Sequence, residues 1–167
     1  MFEKFKQKPV VIILIALAVF VIVVLVAKYS GLKGSNNKPV KNNQSEVKHN
    51  PAEDYKLTSV DSKKLPDLMP ANIPFETGAV VQQNFQGVND VTGERQATRV
   101  FVSAKTLQEN YDSYKNYLEK NGWSLGQTYN AAEIKIISAT KDKASLVVSA
   151  NILNKQNIVN VTYRLAK

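Results

Sequence analysis

The chain has 167 residues, no cysteine, one histidine and one tryptophan, so disulfides and thiolate metal sites are excluded. Its net charge of +8 is uneven: residues 1–50 carry eight Lys and two Glu, +6, and residues 51–167 carry fourteen Lys/Arg against twelve Asp/Glu, +2. The basic balance thus belongs to segments flanking an apolar run, where lysine favours anionic lipid head groups, and the rest leaves no footprint for nucleic acid.

That run, residues 10–27, is eighteen apolar residues without a charge, glycine or proline. As a helix it would extend roughly 27 Å at ~1.5 Å per residue, close to the ~30 Å hydrocarbon thickness of a bilayer. A helix apolar on every side does not suit a soluble domain of this size, so the lipid bilayer is its expected partner. A cleaved signal peptide is the poorer reading, because the run is long and Leu25 or Lys28 would occupy the position where cleavage wants a small residue. Without cysteine there is no lipoprotein site, and the glycine and glutamate of a pilin-type N-terminus are missing. Lys4, Lys6 and Lys8 precede the span and Lys28, Lys33, Lys38 and Lys41 follow it, so the positive-inside count is nearly a draw. A short basic tail resists export. The expected organisation is therefore a cytoplasmic tail (1–9), a signal-anchor span (10–27), a disordered tether (28–64) and an extracytoplasmic domain (65–167).

The tether is assigned from Gly31, Gly34, Ser35, Asn36, Asn37, Pro39, Asn42, Asn43, Gln44 and Ser45, which give the segment almost nothing to bury. His49 falls inside it and reads as a solvated side chain. Asn43-Gln44-Ser45 and Asn160-Val161-Thr162 match the glycosylation triplet, a pattern common by chance. Residues 65–75 hold Pro66, Pro70 and Pro74 among apolar residues, which predicts an extended lead-in whose Leu, Met, Ile and Phe lie along the surface or edge. A strand is predicted at 79–85 and another at 96–103, joined by turn residues between Gly87 and Gly93.

The soluble helix is the best-marked element. Thr106-Leu107-Gln108-Glu109 is a capping box; Leu107, Tyr111, Tyr114 and Leu118 share one face, and Glu109, Asp112, Asn116 and Lys120 the other. Gly122 and Trp123 fit the last two positions of a Schellman ending, with Trp123 packing on Leu118. Three alternating runs follow. They are 133–140, then Ala144, Leu146, Val148, Ala150 and Ile152 on one face, then Val159, Val161, Tyr163 and Leu165. The predicted fold class is α+β, an antiparallel sheet with one packed helix in the order ββαβββ.

Reactive chemistry is hard to assemble from these residues. Ser138-Ala139-Thr140-Lys141 matches the Ser-x-x-Lys pattern of serine acyl-enzymes, but it straddles a strand end and a turn, whereas that chemistry wants the serine at a helix start. Asp112 with Glu109, and Glu119 with Lys115, read as solvated helix faces, not as acid/base pairs. No phosphate loop or metal-ligand cluster is present, so no cofactor and no catalytic, cofactor-binding or metal residue is assigned, and binding residues stay unassigned. Tyr111, Tyr114 and Trp123 are weighed as a ligand pocket and, at helical spacing, read as core.

Ile73-Pro74-Phe75-Glu76-Thr77-Gly78-Ala79, Thr106-x-x-Glu109, Tyr114-x-x-x-Leu118 and Gly122-Trp123 together resemble an uncharacterised family of small bacterial membrane-anchored extracytoplasmic domains. Its pattern is Pro-x-Tyr-Pro-Gly-Ala, a variable hairpin, Phe-Tyr-x-x-x-Leu-x-x-x-Gly-Trp and a β-meander. The likeness covers residues 65–167, with Glu76-Thr77 in place of Tyr-Pro and Ser113 in place of Phe. It implies the fold and an extracytoplasmic site and transfers no catalytic residue. The expected function is a non-enzymatic, membrane-anchored binding or envelope-assembly domain with an envelope-protein or cell-wall partner. The alternatives are an enzyme or enzyme accessory with an unrecognised site, and a tethered module facing the cytoplasm.

Overall fold

The computed structural model describes residues 54–167. They form a single seven-stranded antiparallel sheet and one helix: β1 (Tyr55–Ser59), β2 (Val80–Asn89), β3 (Arg95–Ser103), α1 (Leu107–Lys120), β4 (Ser124–Asn130), β5 (Ile134–Lys141), β6 (Ala144–Leu153) and β7 (Gln156–Leu165). The spatial order is β1-β2-β3-β7-β6-β5-β4. The last strand therefore lies at the centre, inserted between the β2–β3 hairpin and the β4–β5–β6 meander.

This corrects the expected ββαβββ order. The molecule is mostly antiparallel sheet, and two strands escaped the sequence pattern, β1 and β4; they are the two edges of the sheet. β1 lies among residues assigned to the tether, yet it pairs with β2 from Tyr55↔Asn89 to Ser59↔Phe85. In β4 only Leu125 escapes full exposure, and a bulge between Leu125 and Thr128 breaks the register. An edge strand is held by backbone hydrogen bonds to one neighbour, and polar side chains on both faces leave no period of two to detect. The proposed tail, span and residues 28–53 of the tether lie outside the described residues. Among the described residues no helix is long and apolar enough to cross a membrane.

The helix forms where its signals stand. Thr106 Oγ1 accepts from the Glu109 amide, and the Glu109 carboxylate accepts from the Thr106 amide. At the other end the Trp123 amide donates to the Leu118 carbonyl (3.0 Å) and the Gly122 amide to Glu119 (3.2 Å). This is the paired bonding of a Schellman motif, and Gly122 adopts the positive φ of 70° that the motif needs. The helix buries Leu107, Asn110, Tyr114, Tyr117 and Leu118, so its inner face is centred nearer Tyr117 than the Tyr111 stripe suggests.

The helix packs on β4, β5 and β6, and the core continues through Ile137, Ala139, Leu146, Val148, Ala150, Val159, Val161 and Tyr163. Beside the helix the same sheet face is covered by residues 60–79. Here a second correction applies: Met69 and Ile73 are core residues, not surface or edge. The Met69 amide donates to the Pro66 carbonyl and the Ile73 amide to Pro70. Each proline thus opens a tight turn whose fourth residue is directed inward. Phe75 meets Phe101 edge-on at 5.9 Å. Across the register positions of the second sheet face, the only ionic residue is Arg164. It donates to Gln96 (3.0 Å) and lies 3.9 Å from Glu94.

Two buried polar atoms have no partner among the described residues, Asn84 Oδ1 and the Tyr114 hydroxyl. Tyr114 is 2% exposed, and its hydroxyl makes no hydrogen bond within the described residues. Burial raises its pKa, with Arg99 opposing and Glu76 adding to the shift, so the phenol stays neutral. A buried hydroxyl left unpaired costs about 1–3 kcal/mol. Tyr114→Phe is therefore expected to raise the urea midpoint with an unchanged slope, by about 1 kcal/mol of stability. A lowered midpoint would mean that the hydroxyl is satisfied by a bound water.

Candidate functional site

Among the described residues, three places on the helix side of the sheet bring polar groups together, two of them structural, and on the other face Arg164, Gln96, Glu94 and Tyr55 form a fourth. At the helix N-terminus, Ser103 Oγ donates to Glu76 Oε2 (2.5 Å) and accepts from Asn110 Nδ2 (3.0 Å) and the Lys105 amide (3.1 Å). The serine's hydrogen-bonding capacity is spent, and Glu76 also accepts from the Ala104 amide (3.0 Å). A serine so saturated is a loop clasp, with no lone pair left aimed at a substrate. The Ser103 bond, ahead of the smaller backbone bonds, holds the Glu76 carboxyl below the usual carboxylate range.

The sign of the resulting pH dependence follows directly. A depressed folded pKa stabilises the protein above the unfolded carboxylate value, ~4.3 for glutamate, and that contribution disappears as pH falls through the folded value. Glu109, held low by its Thr106 bonds, acts in the same window. Glu76→Gln is therefore expected to flatten, but not abolish, the acid limb of a melting-temperature profile below about pH 4.5. An unaltered limb would remove Glu76 from the account.

The second cluster is a loop clamp. Asn84 Nδ2 donates to the carbonyls of Asp61 (2.8 Å) and Lys64 (2.9 Å), and Arg99 donates to Lys64 (2.7 Å) and Ser62 (2.9 Å). The Arg99 guanidinium also lies 5.2 Å from the centre of the Phe75 ring. Every donor here is directed at backbone.

The third place is a cleft of about 520 Å3 at the C-terminal end of α1, within the ~300–1,000 Å3 common for ligand sites. Four stretches far apart in sequence build it. Pro70 and Asn72 come from the turn segment, Tyr117, Asn121 and Trp123 from the helix end, Lys141 to Ala144 from the β5–β6 turn, and Tyr163 and Leu165 from β7. The Schellman ending swings Trp123 onto the sheet, where its ring meets Tyr163 edge-on at 6.3 Å and 78°. A closed loop of hydrogen bonds fixes the rim: Tyr117 Oη donates to Asn72 Oδ1 (3.2 Å), Asn72 Nδ2 to Asn121 Oδ1 (2.9 Å), and Asn121 Nδ2 to the Tyr117 carbonyl (2.7 Å). Lys141 Nζ donates to the Asn121 carbonyl (2.7 Å), placing a cation at the negative end of the helix dipole. Burial, and then the neighbouring Tyr163 hydroxyl, raise the Tyr117 pKa. Trp123 and Tyr163 meet through their rings. The cleft therefore sets the Asn72 and Asn121 amides beside an aromatic floor.

Of the residues weighed from sequence, Trp123 lines the cleft and is also core, 9% exposed. Tyr111 and Tyr114 lie elsewhere: Tyr111 is half-buried with Lys135 Nζ 5.9 Å from its ring centre. Ser138 Oγ donates to the Gln127 carbonyl (2.9 Å) while Lys141 caps the helix, and their register positions fall on opposite sheet faces. Lys115 and Glu119 form an exposed 3.9 Å pair, and Asp112 accepts from Gln108. His49 lies outside the described residues. Sequence reasoning missed Tyr117, Tyr163, Asn72 and Asn121. Tyr163 was legible as an inward position of β7, but its meeting with Trp123 depends on the central placement of that strand. Among the described residues no group of three His, Cys, Asp or Glu is placed to hold a metal ion. No family model, curated protein or solved structure matches this chain.

Proposed function

We propose that the chain is a binding domain held at a membrane by residues 10–27 and displayed outside the cytoplasm, where it engages an envelope component without catalysis. The single observation that carries the binding role is the cleft, an aromatic-lined recess beside a rim whose Asn72 and Asn121 amides each keep a free donor and a free acceptor position. Rim amides that face a recess can exchange bound water for the hydroxyl or carbonyl groups of a ligand. Supporting the display are the apolar run with its flanking lysines and the motif resemblance over residues 65–167.

Two measurements test the two halves. A cysteine placed at Ser45 in the full chain should react with an impermeant thiol reagent on intact cells; protection would put the domain on the cytoplasmic side. Residues 54–167, immobilised and exposed to envelope extracts, should retain a component, and in solution that component should shift the amide resonances of Asn121, Trp123 and Lys143. Retention with shifts confined to another surface would displace the site. No retention would end the binding reading.

A further inference from the structure

We infer that the sheet face opposite the helix is the seat of a second copy of this chain, two sheets packing face to face about a two-fold axis. The placement of charge carries this inference. Six charged residues lie in the seven strands. Five of them, Lys56, Arg95, Arg99, Lys135 and Lys141, fall at register positions on the helix side. A sheet with one solvated face does the reverse and turns its charges outward. Here the outward face carries only Arg164, which donates to Gln96 and stands 3.9 Å from Glu94. Among the described residues, α1 and residues 60–79 both lie on the other face. The outward face is also apolar across its width. Leu57 and Tyr129, on its two edge strands, are 53% and 56% exposed, and Phe85, Val147 and Ile136 between them are half-buried.

The remaining polar groups of this face suit a copy of itself. They are serine, threonine, asparagine and glutamine side chains such as Asn160 and Thr98, each donor and acceptor at once. Thr98 and Thr162 already share a hydrogen bond of 3.1 Å across neighbouring strands. A patch of such groups meets itself across a two-fold without setting like against like, as an isologous interface demands. The size fits too. Seven strands ~4.8 Å apart, with central strands of nine or ten residues at ~3.3 Å each, outline roughly 30 by 30 Å. Twist separates the corners of packed sheets, but two-thirds of that footprint on each copy still gives the ~1,200 Å2 total at which stable interfaces begin. Other occupants fit less well. A bilayer surface draws on lysine and tryptophan, whereas the one cation here is paired and Trp123 lies on the helix side. Residues 28–53 are too polar in composition to cover an apolar face. The cleft is on the helix side, so the pairing leaves it open in both copies.

Sedimentation velocity of the full chain in detergent micelles, over a wide concentration range, tests the assignment. A concentration-dependent dimer is expected. Val147→Lys sets uncompensated ammonium groups inside the interface and should weaken the dimer about a hundredfold. Tyr129→Lys, at an exposed position that folding does not depend on, should weaken it about tenfold. Asn116→Lys, on the exposed side of α1, should leave it unchanged. Melting curves check that each variant is folded, and Tyr129→Lys alone decides if Val147→Lys is not. A monomer at every concentration overturns the proposal, as does a dimer that the face substitutions do not weaken. The chain has no cysteine, so Tyr129→Cys takes a single fluorophore; its quenching by spin-labelled lipid in nanodiscs would give the face to the bilayer and overturn the proposal as well.

Discussion

A fragment beginning at Pro66 is expected to be far less stable than one beginning at Asp54, although the composition change at Leu65 makes the former look like the natural boundary. Starting at Pro66 deletes β1 and the 60–64 loop. It strips β2 of its partner from Ser59↔Phe85 to Tyr55↔Asn89. It removes the Asp61 and Lys64 carbonyls from Asn84, which is buried, and the Lys64 and Ser62 carbonyls from Arg99. A buried donor left unpaired costs about 1–3 kcal/mol, more when charged. Asn84 is such a group, and together with the two bonds lost by the half-buried Arg99 and the lost strand pairing the cost sums to roughly 3–6 kcal/mol against a total of about 5–15. At ~4–8 °C per kcal/mol for a domain of about 100 residues, the melting temperature should fall by at least ~12 °C. β2 would also become a ten-residue edge without a charge or proline, a template for intermolecular pairing. Gly87 shows how closely β1 is fitted, since a Cβ there would stand 2.4 Å from the Lys56 carbonyl oxygen. Coincident melting curves for the two fragments would show that β1 contributes nothing.

The same deletion shows which parts of the fold are legible in the amino-acid order. The helix is readable because its determinants are local: Thr106 and Glu109 are three residues apart, and Gly122 and Trp123 directly follow the helical stripe. β6 and β7 are readable because Leu146, Val148, Val159 and Val161 recur at every second position on one buried face, although Ile158 and Thr162 on the other face of β7 are buried too. β1 and β4 bury little on either face, and their existence depends on backbone bonds to strands 25 or more and about ten residues away. Prolines at 66, 70 and 74 indicated correctly that no regular strand or central helix would form there. They did not reveal that Met69 and Ile73 turn inward, because that depends on an uncovered part of the sheet waiting beside the helix. The cleft was the least legible feature. Its floor and rim come from residues 70–72, 117–123, 141–144 and 163–165, and no local pattern announces that these segments converge.

Replacing Trp123 by alanine should be the most damaging single substitution in the domain, costing about 3–5 kcal/mol. The indole occupies two structural roles at once. Its amide closes the helix by donating to Leu118, which is fully buried, and its ring fills the space between the helix end and Tyr163 at the sheet centre. Alanine keeps the backbone bond but removes an aromatic surface of roughly 150–250 Å2 together with the edge-to-face contact. Gly122→Ala tests the backbone part alone. No atom lies within 4 Å of a Cβ at Gly122, so its only penalty is the positive φ of 70°, about 1 kcal/mol. Melting followed by circular dichroism should therefore separate the two by ~2–4 kcal/mol, with Trp123→Ala at least ~12 °C below the parent. Equal melting temperatures for Trp123→Ala and the parent would place the indole outside the core. The same pair bears on function, because Trp123→Phe keeps an aromatic in the gap while deleting the N–H. If the cleft binds through that donor, Trp123→Phe should lose ligand affinity while remaining far closer to the parent in stability than Trp123→Ala. If the indole is only a lock, Trp123→Phe will bind envelope components as the parent does.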